Sequence, residues 1–192
     1  MIDTVAPDFE ARSTHGRVRL SDMRGRWICL FSHPADFTPV CASEFIGFEK
    51  KRSAFEAEQC QLIGVSVDSV HAHLAWVDRL EQEHGVRLGF PLVEDVGMNI
   101  GQAFGMIHET ATSTASMRSV FFIDPQFIIR AVITYPTQVG RSIDEVLRVL
   151  IALKATAKNK ASAPAGWQPG DPLINHDLGE LEKRFSPSWE LK

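Results

Sequence analysis

Phe31-Ser32-His33-Pro34-Ala35-Asp36-Phe37-Thr38-Pro39-Val40-Cys41 closes an apolar run and opens a helical one, and its reading decides the fold. Upstream, Trp27-Ile28-Cys29-Leu30-Phe31 is almost wholly apolar, the pattern of a strand covered on both faces. Downstream, Phe45, Phe48 and Phe55 recur with Cys41 at helical spacing, so a helix from Cys41 to Ala57 turns the sulfur toward the core. Thr38 suits the N-cap and Pro39 the first helical position, which puts Cys41 in the first turn. There, unpaired amides and the positive end of the helix dipole favour negative charge on sulfur. The competing reading is a buried structural cysteine. A helix start behind a proline-bracketed loop favours the reactive one.

Working outward, Leu62 to Val67 is a second buried strand. Ser69 to His84 is then a helix with Leu74, Val77 and Leu80 inward and Gly85 as its stop. Strand, helix, strand and helix at this rhythm imply right-handed parallel crossovers. Phe9 to Leu20, with His15-Gly16 in its middle, reads as a hairpin or two short strands. Val120 to Ile123, the turn Asp124-Pro125-Gln126 and Ile128 to Tyr135 form another. Ser142 with Glu145 is a capping box, opening a helix to about Ala157 with Val146, Leu147, Leu150 and Leu153 inward. The expected fold is α/β: a mixed central sheet flanked by helices, on a thioredoxin-like plan, over residues 1–157. From Ala155 to Ala165 the composition turns small, polar and lysine-rich, as in a linker or a frayed helix end. Trp167, Leu173, Ile174, Leu178, Leu181, Phe185 and Trp189 then make 158–192 an apolar C-terminal extension, expected to pack on this subunit or a partner.

Composition excludes several classes. A net charge of −4 on 192 residues offers no electrostatic case for nucleic acid or an anionic membrane. No apolar run approaches spanning length, and Met1 to Pro7 lacks the basic start and apolar core of an export signal. Three cysteines, an odd number, suggest a reducing compartment, so the cytoplasm is the expected location. His71 and His73 fall on different faces of their helix and make a poor metal pair, and there is no zinc spacing or phosphate loop. Neither metal nor organic cofactor is expected.

Pro34, Thr38 and Cys41 stand in the pattern Pro-three residues-Thr-two residues-Cys, which resembles the peroxiredoxin active-site signature. Phe31-Ser32-His33, Ala6-Pro7-Asp8-Phe9, Gly64 to Ser69, Arg118 to Asp124, Tyr135-Pro136 and Gly140-Arg141 are similar to that family in register. Ser32-His33-Pro34 and Trp167-Gln168-Pro169-Gly170-Asp171 are most similar to its one-cysteine branch.

The resemblance implies a thiol-dependent peroxidase. Cys41 would reduce hydrogen peroxide and organic hydroperoxides, passing through a sulfenic acid. Deprotonation alone is inadequate, because a free thiol near pKa 8.5 gains only roughly thirty-fold in thiolate. Falling nucleophilicity, with a Brønsted slope of about 0.4–0.5, cancels most of that gain. The larger acceleration must come from donors fixed on the oxygens as the O–O bond lengthens, each worth roughly 3 kcal/mol.

By the same resemblance, Thr38 orients peroxide with its hydroxyl and the Val40 and Cys41 amides bind the oxygens. Arg118 stabilises thiolate and peroxide together, and Pro34 shields the sulfur. Glu44 could hold Arg118 or be a solvated helix glutamate. Arg141 is a second arginine near the site or a turn residue. His33 lines the pocket or is a satisfied strand-end histidine. Cys29 and Cys60 read as inert core thiols. No cysteine follows Cys60, so the resolving thiol is expected to be external: a small thiol or a redox protein. The family implies a homodimer or a larger ring of dimers. The alternative is a peroxide-sensing redox relay or holdase chaperone switched by Cys41 oxidation. A disulfide reductase is disfavoured by the missing Cys-x-x-Cys pair.

Overall fold

β3 (Trp27–Ser32) is the spine of the sheet because all six of its residues are buried. Such a strand needs a partner on each edge. β4 (Cys60–Ser66) runs parallel along one, with Trp27 opposite Cys60, and β6 (Arg118–Ile123) antiparallel along the other, with Phe31 opposite Val120. β1 (Glu10–Ser13), β2 (Gly16–Arg19), β5 (Leu92–Glu94) and β7 (Ile129–Tyr135) complete seven strands in the order β2-β1-β5-β4-β3-β6-β7. The α-helices are α1 (Pro39–Ala57), α2 (Val70–His84), α3 (Asn99–Ala103) and α4 (Ile143–Asn159). The sheet is mixed, and the thioredoxin-like α/β plan is observed. This computed structural model describes residues 1–107 and 114–175.

Period-two alternation along β3 feeds two cores. Ile28 and Leu30 join Ile63, Val65, Val93, Phe104 and Phe121 on one side. Phe31, on the other, stacks on Phe48 of α1 at 4.1 Å and meets Phe45 and Phe90. Thus α1 is fixed over the sheet by aromatic packing, with Cys41, Glu44, Phe45, Phe48 and Phe55 on its buried face.

The antiparallel register decides where the site forms. Because Phe31 pairs with Val120, Arg118 begins β6 beside the end of β3, where the chain leaves for α1.

α2 begins and ends at the predicted residues: Ser69 accepts from the Ala72 amide, and Gly85 terminates it in the left-handed region at φ 64°. Its buried face differs from the expected one. Leu74 is 44% exposed and Val77 half-buried, while Val70, His73, Trp76 and Leu80 are buried. The helix is rotated because His73 finds a buried carboxylate partner, a pairing invisible to a hydrophobic pattern. β5 and α3, three and five residues long, are too short to leave a periodic signal.

Two units divide the chain, Met1–Val146 and Leu147–Lys192. In the second, Leu150 is fully buried, Arg148 donates to the Trp167 carbonyl, and Ser162 pairs with Ile174. Trp167 Nε1 donates to the Asp171 carbonyl, and the Asp171 carboxylate accepts from the Gln168 amide, closing the Trp-Gln-Pro-Gly-Asp turn. Leu178, Leu181, Phe185 and Trp189 lie outside the described residues.

Candidate active site

Cys41 is the third residue of α1, a free thiol with no exposed surface. Thr38 holds the extended N-cap conformation and Pro39 opens the helix, as expected. The Thr38 hydroxyl, however, does not cap: it donates back to the Ala35 carbonyl at 3.0 Å. The first helical hydrogen bond runs from the Ala42 amide to the Thr38 carbonyl. The Val40 and Cys41 amides therefore start the helix with neither a helical carbonyl nor the N-cap side chain to meet. An N-cap that declines to cap leaves two donors beside the sulfur.

Arg118 is the cation at this centre. Its Nη1 lies 3.3 Å from Cys41 Sγ and 2.7 Å from Glu44 Oε2, while its Nε donates to the Thr137 carbonyl at 2.8 Å. Glu44, one turn along α1, is buried and not solvated. Its Oε2 also accepts from Arg141 Nη2 at 2.8 Å. Its Oε1 accepts from the Arg141 amide at 2.7 Å and from Arg141 Nε at 2.8 Å. Arg141 Nη1 reaches the Ser119 carbonyl, and its guanidinium lies over the Phe31 ring at 5.4 Å. Burial alone would raise the Glu44 carboxyl. The hydrogen bonds and charge of Arg141, then the charge of Arg118, outweigh burial and hold it below its ordinary value. Two guanidiniums thus share one carboxylate, leaving an excess positive charge in a dry site against the sulfur. An anion there completes the balance.

Pro34 is half-buried, directly after the β3 end. His33 is fully buried and faces a cluster of its own. Its Nε2 lies 2.8 Å from Asp36 Oδ1, and its ring stacks on Trp76 and meets Phe45 edge-on. Asp36 Oδ2 lies 2.8 Å from His73 Nδ1. Burial pushes the His33 ring down further than Asp36 raises it. Asp36 itself is raised by burial but held below its ordinary value by its bonds to the two histidines. His33, Asp36 and His73 bring potential ligand atoms within 4.8 Å of one another, a spacing that could hold a metal ion. Both carboxylate oxygens and three of the four ring nitrogens are nevertheless committed to hydrogen bonds, so the arrangement is a relay of donors and acceptors. The sequence marks Asp36 and His73 with no signal, because their pairing spans 37 residues.

The other two thiols lie elsewhere. Cys29 is fully buried within β3, and burial, then Cys60, pushes it well above its ordinary value. Cys60 starts β4 opposite Trp27, at the end of β3 remote from Cys41. Five residue steps along a strand are about 16 Å, far beyond the roughly 4.4–6.8 Å between the Cα atoms of a disulfide.

A cysteine at a helix start, against a buried arginine on a mixed sheet, makes a thiol site on a thioredoxin-like fold. Two family models cover most of the chain: the AhpC/TSA family over residues 2–132, and the C-terminal domain of 1-Cys peroxiredoxin over residues 152–185. Peroxiredoxin 2 of Caldanaerobacter subterraneus is 49% identical over 90% of this chain and 78% of its own. Peroxiredoxin 2 of Picrophilus torridus is 43% identical over 97% of this chain and 95% of its own. Among solved structures, yeast mitochondrial 1-Cys peroxiredoxin superposes with a TM-score of 0.85 at 37% identity, covering 100% of this chain and 95% of that one. A cysteine-to-serine mutant of peroxiredoxin 6 of Arenicola marina gives 0.86 at 34% identity, covering 100% and 91%. The chain belongs to the AhpC/TSA family, in its one-cysteine peroxiredoxin branch. Peroxide reduction is its function, and the chaperone or relay alternative is not favoured. Among the described residues no helix is long and apolar enough to cross a membrane.

Proposed function

We propose that Cys41 is the sulfur that attacks peroxide, and that Thr38, Arg118 and Pro34 assist it directly. The thiolate bonds to one peroxide oxygen while the O–O bond breaks, giving a Cys41 sulfenic acid. The departing oxygen leaves as water or alcohol after taking a proton. Arg118 polarises the oxygens and stabilises the thiolate. The Thr38 hydroxyl and the Val40 and Cys41 amides orient the substrate, and Pro34 shields the sulfur. Glu44 and Arg141 act behind them by holding Arg118, and His33 shapes the wall of the pocket. One observation carries this reading: Arg118 Nη1 lies 3.3 Å from the sulfur, with its other bonds to Glu44 and Thr137 fixing its aim.

An external thiol then attacks the sulfenic sulfur, releases water and forms a mixed disulfide, which a second thiol reduces. The yeast relative is described as resolved through glutathione and thioredoxin systems, and we carry that class of reductant to this chain. Both hydrogen peroxide and organic hydroperoxides fit the site chemistry. A division into a peroxidase domain (1–157) and an extension (158–192) that packs on a partner subunit, in a homodimer or ring of dimers, fits the apolar tail. A reducing, cytoplasmic setting fits three thiols.

Peroxide consumption with glutathione or thioredoxin as reductant tests the reading. Turnover by the wild type and none by Cys41→Ser is expected. Undiminished turnover by that variant overturns it.

A further inference from the structure

His73 lies on α2, away from the reacting sulfur, yet it is fully buried and its ring is bonded at both nitrogens. Nε2 faces the Val93 carbonyl at 3.2 Å, and a carbonyl only accepts, so Nε2 carries a proton. Nδ1 faces Asp36 Oδ2, and the other carboxylate oxygen accepts from His33 Nε2. One proton must therefore lie between His73 Nδ1 and Asp36 Oδ2. That proton bonds His73 to Asp36 within a closed polar cluster, whichever atom carries it.

The surroundings agree. Asp68 accepts from the Asp36 amide at 3.0 Å and from Ser66 Oγ. Glu94, at the end of β5, accepts from the Val70 amide at the start of α2, with Arg12 as its counterion. Trp76, Phe45 and the His33 ring 6.0 Å away close the cluster on its other sides. With its proton on Nε2, His33 keeps a bare Nδ1. Among the described residues that nitrogen has no hydrogen-bond partner.

What this clamp holds is the loop from β3 to α1. Asp36 is followed by Phe37, at φ 58° and 58% exposed, and then by Thr38, the N-cap of the helix that carries Cys41. A phenylalanine keeps a left-handed backbone only where its surroundings over-determine it. Its own side chain is largely in solvent, so the constraint must come from its chain neighbours.

We infer that His73 is a positioning residue for the peroxidase reaction: bonded through both ring nitrogens, it grips Asp36 and thereby sets the loop that delivers Thr38 and the first-turn amides to Cys41. The inference rests on Cys41 being the reacting sulfur.

Two measurements on the full reduced chain test it. Long-range ¹H–¹⁵N spectra of the wild type at neutral pH should show one proton on His73 Nε2 and another held between His73 Nδ1 and Asp36, both exchanging slowly with solvent. A His73 ring whose protons exchange freely with solvent overturns the inference, and that result needs no variant. Stopped-flow oxidation by hydrogen peroxide should slow roughly ten- to a hundred-fold in His73→Gln, as misplacement of a reacting geometry does, with the thiolate absorbance titration of Cys41 unmoved. Asp36→Asn, nearly isosteric, should slow it equally, and serves where the first variant fails to fold. Wild-type rates in either folded variant overturn the inference. Failure of the wild type itself to react strikes at the assignment of Cys41 instead.

Discussion

One nitrogen of Arg118, Nη1, serves Cys41 Sγ at 3.3 Å and Glu44 Oε2 at 2.7 Å, so the cation that meets the sulfur is aimed by a carboxylate on the sulfur's own helix. Lysine cannot reproduce this, since its single ammonium cannot span sulfur, carboxylate and the Thr137 carbonyl together. The second-order rate of Arg118→Lys with hydrogen peroxide should fall by about a hundred-fold or more, as on removing an oxyanion donor. Stopped-flow fluorescence reads it. A loss under about three-fold, small against that oxyanion-donor scale, would remove Arg118 from the chemistry.

Glu44 makes a sharper statement about stability. Its carboxyl lies below its ordinary value of 4.5 in the folded chain. The stabilisation it brings is thus fully present above that value and is lost as pH falls through the depressed one. Glu44→Gln leaves two buried guanidiniums without their shared carboxylate and should cost about 3–5 kcal/mol at pH 7. Urea unfolding from pH 7 downward should show this difference constant to about pH 5 and shrinking below about pH 4. A difference that grows on acidification would contradict the pairing.

How much of this is legible in the sequence depends on how local each signal is. The helix start at Thr38-Pro39 and the inward face of Phe45, Phe48 and Phe55 follow from short-range rules, and they stand in the structure. Arg118 enters only through the family resemblance, and whether Glu44 is solvated or buried is decided by Arg141, 97 residues away, folding its backbone amide onto the carboxylate. The Thr38 hydroxyl donates to the Ala35 carbonyl and accepts from no first-turn amide, an orientation N-cap preference does not foresee. A hydrophobic pattern turns Leu74 inward and passes over the polar His73; the buried partner Asp36 reverses that order.

Gly64 is the close-approach position beneath α1. A Cβ there would meet two ring carbons of Phe45 at 3.1 Å, and that ring is held by Phe31, His33, Trp76 and Phe90. The ring has nowhere to retreat, so Gly64→Ala should destabilise by about 1–3 kcal/mol, as overpacking does. Chemical denaturation measures it. An unchanged midpoint would show that the aromatic cluster yields.

Cys60 should play no part in resolving the sulfenic acid, because it pairs with Trp27 at the far end of β3. Cys60→Ser should turn over at the wild-type rate with an external thiol. Non-reducing mass mapping should find no Cys41–Cys60 bridge. Detection of that bridge within one chain would require the sheet to open.

The most direct measurement is intact mass with peptide mapping after one equivalent of hydrogen peroxide, with and without glutathione. One added oxygen on Cys41 alone is expected, removed by the thiol and carried further to the sulfinic acid when peroxide is in excess. Oxygen appearing first on Cys29 or Cys60, or Cys41 remaining unmodified, would contradict the account.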